Sequence, residues 1–387
     1  MPSKAKGQRP YGKQNNIGPN ECFVPALKSL EKFIPIKTQG KWNQKHIHTS
    51  SIGMASERLS IHSIQPLVRN CPTETPFRNH LSKLDIEDLE TINQELLTNK
   101  ILEHIPRNKP VKIAIDETDD PYYGEITAIN KEYVVKYKVK KSTKFFYRYI
   151  TLYLILGDWK LTLSILPVKK KTPKLGYIKQ MLKKVEDLCF SIEVLLLDRG
   201  FLGSELFRYL MKQDIPFIMP VKVHSQDMKE LLQGRRSRYD KYIMNKATNP
   251  LELDVAICVK YLNGRYDKHE NRNYGYFVYG IDWKPNKVAS VYRKRFGIES
   301  SYRMRNIVKP RTSTKNPAVR YYFALVSLLL KNIWVFIRYR SFPQLRRGPR
   351  KVDEDKFRFD QFRLMVWSAF CRRFGFERTI PVHRSKG

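Results

Sequence analysis

Apolar and polar positions alternate with different periods along the chain, and the changes of period mark out its elements. In VKIAIDE, residues 111–117, Val111, Ile113 and Ile115 alternate with Lys112, Ala114 and Asp116, a period of two that predicts a strand. EYVVKYKVK, KFFYRYITLYLIL and WKLTLSILPV follow, rich in β-branched and aromatic residues, and predict three more. A helix is expected over roughly 174–190. IEVLLLD, at 192–198, carries an apolar run of the kind found in strands covered on both faces. GSELFRYLMKQD then reads as a helix and PFIMPV as a short buried strand.

Upstream the pattern is weaker. Residues 1–54 are rich in Lys, Gly, Pro and Asn and read as a loosely ordered basic arm. SERLSIHSIQPLVRN is helical in period through Leu59, Ile61, Ile64 and Leu67, and TPFRNHLSKL offers Thr75 as N-cap with Pro76 at the first helical position. Two such helices joined by a tight turn predict a helix-turn-helix within a helical region at 55–108, with Arg78 and Lys83 on its second helix facing DNA. The plainer reading is a pair of amphipathic helices. A third helix is expected at roughly 85–103 from the stripe Ile86, Leu89, Ile92, Leu96, Leu97 and Ile101.

Downstream, residues 221–285 break the alternation with a charged stretch followed by LELDVAICVKYL and YGYFVYGIDW, a β-rich insertion. Helical sequence resumes with VYRKRFGIESSYRMRN. The run YYFALVSLLLKNIWVFI (321–337) approaches the length of a short membrane span, but Lys331 and Asn332 near its centre favour a buried core helix. The chain closes with a basic region, 341–387, containing one further amphipathic helix.

Charge changes the picture most. Against 37 Asp and Glu stand 72 Lys and Arg, a net charge of +35 and a pI near 9.9, spread through foldable sequence. Such an excess suits a polyanion, with nucleic acid first, because binding releases condensed counterions. A ribosome-associated protein, a membrane-surface protein or a salt- or heat-adapted surface are the blander accounts. Five scattered cysteines with no CxxC pair signal neither a disulfide framework nor a zinc site. His46 and His48 lack a cysteine or carboxylate at ligand spacing and read as loop residues. No apolar leader follows the basic N-terminus, so an intracellular protein is expected.

Antiparallel-type strands, a helix, a strand ending in Asp, a helix, a strand and a later helix bearing Glu is the order of an RNase H-like α/β fold, a mixed sheet flanked by helices. Residues 109–220 would form its first part and 286–340 its second, around the insertion. Parallel neighbours would bring Asp116 and Asp198 together, and Glu299 is the candidate third carboxylate. On one continuous helix it would share a face with Tyr292, Arg295, Arg303 and Asn306. Carboxylates from three elements can hold two Mg²⁺ ions, one activating an attacking hydroxyl and the other steadying the leaving oxygen of a phosphodiester. Singly, each has a plainer reading: Arg295–Glu299 as a surface i,i+4 pair, Asp198 as a turn cap, Asp116 as part of a solvated acidic turn. Glu117 would point to the opposite face, and Asp119 and Asp120 would shape the turn before Pro121, with Asp119 as reserve ligand.

IDETDDPYYG, LLLDRGF and YRKRFGIESSYRMRN resemble, in order, the three motifs of DDE transposases of insertion sequences: Asp116 with Thr118, Asp198-Arg199-Gly200 followed by an aromatic, and Tyr292, Arg295 and Glu299 at Tyr-x2-Arg-x3-Glu spacing. The resemblance spans roughly 110–338 and includes the β-rich insertion. It implies DNA strand cleavage and strand transfer at element ends, with Asp116, Asp198 and Glu299 as catalytic metal ligands for two Mg²⁺ ions, Mn²⁺ substituting. Tyr292, Arg295, Arg303, Lys309 and Arg199 would contact DNA. It further implies terminal-repeat binding by the N-terminal part, a homodimer on paired ends, and a place in the cytoplasm at a prokaryotic nucleoid. The family's Lys seven residues after the Glu is Asn306 here, a position Arg303 or Lys309 would have to serve. Two rivals remain: an RNase H-like nuclease that cuts without joining, and a non-catalytic DNA-binding derivative.

Overall fold

In a computed structural model, described for residues 16–223, 225–245, 247–261, 271–344, 347 and 350–377, the chain begins with helices. Residues 1–15 of the expected arm and 378–387 of the basic C-terminal region lie outside the described residues. From residue 16 onward the arm is largely helical: α1 (Pro19–Phe33) and α2 (Gln44–Ser56). The period failed to announce α2 because residues 47–56 are all buried, many of them small and polar. Hydroxyls of Ser50, Ser51 and Ser56 bond back to the carbonyls of His46, Ile47 and Gly53 at 2.8–2.9 Å, so they need no outside partner. His48 sits on α2 rather than in a loop. Its ring nitrogens meet the Tyr322 hydroxyl at 2.8 Å and the Ile34 carbonyl at 2.9 Å, and burial pushes its pKa down to about 4, as expected of a satisfied core histidine.

The expected helix over 56–70 is reduced to one turn, α3 (Ile61–Ile64), capped by Ser60 and passing into a short 3-10 turn that contains Pro66. The next helix, α4 (Glu74–Leu81), starts two residues before the expected first helical position, Pro76, with Thr73 rather than Thr75 at its N-cap position. A four-residue α3 falls short of the first helix that a helix-turn-helix needs. The third expected helix is α5 (Ile86–Thr98), ending before 103 and capped by Asp85 through the amides of Glu87 and Asp88.

The sheet begins with β1 (Val111–Pro121), β2 (Val134–Lys140), β3 (Thr143–Leu156) and β4 (Trp159–Pro167). Helix α6 (Lys174–Asp187) leads to β5 (Ile192–Leu197), and α7 (Ser204–Lys212) to β6 (Phe217–Pro220). The insertion supplies α8 (Gln226–Leu231), β7 (Arg238–Met244), β8 (Leu251–Tyr261) and β9 (Asn271–Tyr279). Its strands extend the same sheet: among the described residues the order is β2-β3-β1-β5-β6-β9-β8-β7, with β4 also on β3. Strands β1, β5 and β6 are parallel neighbours, and every other pairing is antiparallel.

Helices cover both faces. Val111, Ile113 and Ile115 of β1 join the larger core, and Ala114 joins the smaller one with Val288, Val291, Tyr292 and Ile298. The latter residues belong to α9 (Pro285–Arg293) and α10 (Phe296–Ile307). Helix α11 (Pro317–Ser341) runs through the larger core, and α12 (Phe359–Phe374) packs on α1 and α2. Among the described residues α11 is long and apolar enough to cross a bilayer, but 89% of its most apolar window is buried inside the protein. Asn332, mid-helix, donates to the Leu97 and Thr162 carbonyls at 3.0 and 2.7 Å, and Lys331 donates to the Lys160 carbonyl, so the polar pair fastens the helix to β4 and α5.

Candidate active site

Strand register brings the first two carboxylates together. Ile115 pairs with Leu197 across the parallel strands, so the next residues, Asp116 and Asp198, are neighbours. Asp198 lies just past β5 and caps a 3-10 turn by accepting from the Gly200 amide at 3.3 Å. The third carboxylate comes from the helix. The expected continuous helix breaks at Lys294 and Arg295, leaving Arg295 at the head of α10 and Glu299 in its first turn. A helix N-terminus favours negative charge.

Arg295 joins the three. Its Nη1 lies 2.6 Å from Asp116 Oδ2, and its Nη2 lies 3.0 Å from Glu299 Oε1 and 3.9 Å from Asp198 Oδ1. Only 7% of the Arg295 side chain is exposed, and the Tyr292 and Phe296 rings lie 5.5 and 5.6 Å from its guanidinium. Burial pushes the Asp116 pKa up to about 6; Arg295 and the Glu117 amide oppose the rise, while Asp198 and Glu299 add to it. Burial pulls Arg295 down, but Tyr292 and the three carboxylates together hold it above its ordinary value.

Strand β1 runs to Pro121, longer than the sequence pattern suggests, and its acids divide by face. Asp116 and Asp120 share the face that meets α10, and Asp120 is no turn residue. Arg305 grips it with two bonds of 3.0 and 2.6 Å, and Lys309 lies 2.8 Å away. Burial would raise Asp120, yet Arg305 and Lys309 hold it far below the usual carboxylate range. On the opposite face Asp119 accepts from Arg148 at 2.7 and 3.1 Å, and Glu117 lies 3.0 Å from Lys174. The reserve ligand Asp119 therefore points away from the triad.

The remaining candidates scatter. Tyr292 is buried and donates to the Leu197 carbonyl at 3.3 Å, bracing the strand end that carries Asp198. Lys309 is taken up by Asp120. Arg199 is exposed beside Asp198, and Arg303, also exposed, bonds Ser300 at 3.1 Å. Arg78 pairs with Glu74 on α4, and Lys83 reaches the Lys37 carbonyl at 3.4 Å, both apart from the triad. Two residues escaped the sequence reading. Tyr302 meets the Thr151 hydroxyl at 2.5 Å beneath Asp116, and Arg305 holds Asp120; the i+2 spacing of Asp116, Thr118 and Asp120 was the available signal for the latter.

The donor set fits a divalent cation in kind: hard carboxylate oxygens from the middle of β1, the end of β5 and a helix, already gathered around one positive charge. Among the described residues no three His, Cys, Asp or Glu side chains form a ready metal cluster, because the guanidinium stands between the acids.

Sequence comparison with curated proteins gives no match. Among solved structures, a cryo-EM structure of the piggyBac transposase synaptic complex with hairpin DNA is similar in fold, with a TM-score of 0.55 at 11% identity, covering 95% of this chain and 84% of that one. Residues 107–308, which span Asp116, Asp198 and Glu299, match the profile of the transposase DDE domain. The chain belongs to the DDE transposase family and is a polynucleotidyl transferase of that family.

Proposed function

We propose that this transposase cuts DNA at the ends of its element and joins the freed 3′-hydroxyl to target DNA, with Asp116, Asp198 and Glu299 as the catalytic carboxylates. The observation that carries the assignment is the single guanidinium within 3.9 Å of all three. In this reading the three side chains hold divalent cations, Mg²⁺ or in its place Mn²⁺, which supply an activated hydroxyl and charge relief at the leaving oxygen. Tyr292 braces the Asp198 strand end. Arg295 gives up its carboxylates to meet a phosphate, which a guanidinium binds as readily. Arg199 and Arg303, exposed beside the triad, contact the backbone on either side of the reacting bond, and Arg78 and Lys83 contact it farther away. The helical region at 55–108 is assigned to terminal-repeat binding, and two copies act on paired ends.

The test uses Asp116→Ala, Asp198→Ala and Glu299→Ala on labelled duplexes carrying the element's end. Each variant should abolish cleavage while end binding stays within about twofold, since the affinity of such proteins comes mainly from phosphate contacts outside the cut. Cleavage surviving any one substitution would remove that residue from the assignment. Nicked product without joined product, in a reaction supplied with target duplex, would replace strand transfer with hydrolysis alone.

A further inference from the structure

Between α4 and residues 309–316, the segment leading from α10 to α11, lies a cleft of about 390 Å³. Phe77, Val319 and Phe323 form part of its floor, and Arg78, Arg311 and Thr312 part of its rim. Its one carboxylate, Glu74, is already engaged by Arg78 and lies 3.6 Å from His62. Arg311 is exposed, and among the described residues its side chain has no acidic partner.

The segment is held open by its own bonds. The Arg311 amide donates to the Leu59 carbonyl at 3.0 Å, Arg320 donates to the Thr314 carbonyl at 2.7 Å, and the Tyr147 hydroxyl donates to the Lys315 carbonyl at 2.9 Å. Thr312 and Thr314 each accept a backbone amide at 3.2 Å, which leaves their hydroxyl protons to donate elsewhere. A preorganised rim of arginine and hydroxyl donors suits an acceptor-rich, anionic ligand bound at little ordering cost.

The segment also starts at the triad's own strand. From Asp116 to Asp120 is roughly 13 Å of β1. Lys309, paired with Asp120 at 2.8 Å, opens the segment. Arg311 follows at most about 7 Å of chain later. With the reach of the Lys309 side chain, the rim lies within about 30 Å of Asp116, no more than about nine base pairs of duplex.

We propose that this cleft seats the sugar-phosphate backbone of the DNA strand that leaves the carboxylate site, bridging the N-terminal helices and α10. The inference rests on the transposase reading and adds to it a second contact surface.

The test uses the full chain and a mixed-sequence duplex of about 30 base pairs, titrated across salt concentrations by fluorescence anisotropy. Arg311→Gln and Ser313→Glu, both at exposed positions, should keep the wild-type melting temperature. Each should weaken binding several-fold and lower the salt slope by about one ion for each phosphate no longer neutralised. On a duplex carrying the element's end, methylphosphonate substitution four to nine or so nucleotides from the cut should reproduce the loss in wild type and add nothing in Arg311→Gln. Wild-type affinity and slope in both variants would overturn the cleft assignment while leaving the transposase reading intact. Failure of the wild type to bind duplex would overturn both. Inorganic phosphate, matched in ionic strength to chloride, should leave the melting temperature unchanged; a rise abolished by Arg311→Gln would mark a free-phosphate site and overturn the strand assignment.

Discussion

Asp116 and Asp120 stand four residues apart on one face of β1, and burial acts on both, yet their environments push them in opposite directions. The perturbation that separates them is amidation, Asp120→Asn against Asp116→Asn. Asp120→Asn would keep the shape of the side chain but leave Arg305, whose side chain is 0% exposed, and the Lys309 ammonium without their counter-charge. Removing one partner from such a buried pair costs about 3–5 kcal/mol. At roughly 2.1 cal/mol/K per residue, that lowers the melting temperature of a chain this long by about 4–6 °C.

Asp116 is the reverse case. Its pKa rises from an ordinary 3.8 to about 6, so above that pH the folded chain carries a carboxylate that would be more comfortable unfolded. The cost is on the order of 3 kcal/mol at most, and Asp116→Asn is expected to be neutral or stabilising by up to that amount. The sign fixes the pH dependence. Between pH 3.8 and about 6 the folded state binds more protons at Asp116 than the unfolded state, so this residue's contribution falls as pH rises through the window. Asp120 has a depressed pKa, so its contribution is present above 3.8 and is lost only on stronger acidification. Urea denaturation at pH 8 and pH 5 should show the Asp120→Asn deficit undiminished at pH 5, and the Asp116→Asn advantage shrinking there. An Asp116→Asn deficit as large as that of Asp120→Asn at pH 8 would refute the division into a site carboxylate and a structural one.

Two further outcomes follow from the same structure. Arg295→Met should raise the affinity of the DNA-free protein for Mn²⁺, read by electron paramagnetic resonance, by about tenfold or more, because an opposite charge within 4–6 Å shifts such equilibria by one to three log units; unchanged Mn²⁺ binding would show that the guanidinium does not compete for the acids. Gly53→Ala should destabilise the chain by about 1–3 kcal/mol in thermal unfolding despite alanine's higher helix propensity, since a Cβ there would sit 2.5 Å from the Phe370 ring; a stabilised variant would mean that α2 and α12 do not pack as described.

Where one period governs a segment, the sequence was readable. Strand β5 closes on the apolar run Val194–Leu197, buried between two parallel neighbours, and its end at Leu197 is marked by the charge of Asp198. The alternation in β1 likewise put Asp116 on the helix-facing side. Reading failed where burial was achieved by other means. Helix α2 buries serines by bonding them to their own turn, which erases the apolar stripe. Pro66 cut short the helix expected before α4. The acid-rich end of β1 looked like a turn because its partners are remote, Arg148 lying 29 residues beyond Asp119 and Arg305 lying 185 beyond Asp120. No local pattern carries such pairings.

Those distant partners also explain why a chain with a net charge of +35 places so many acids in one strand. Alternation sends Glu117 and Asp119 to Arg148 and Lys174 on one face, and Asp120 to Arg305 and Lys309 on the other. Each of these is neutralised by cations the fold holds close. Asp116 is left with a single guanidinium that it shares with Asp198 and Glu299, one positive charge among three negative groups. The deficit is local to the middle of β1, where added positive charge would lower the electrostatic energy of the fold. A polyanion attracted by the remaining surface arrives at the spot where its own charge is least welcome unless cations come with it, which is the condition a metal-dependent phosphoryl transferase has to meet.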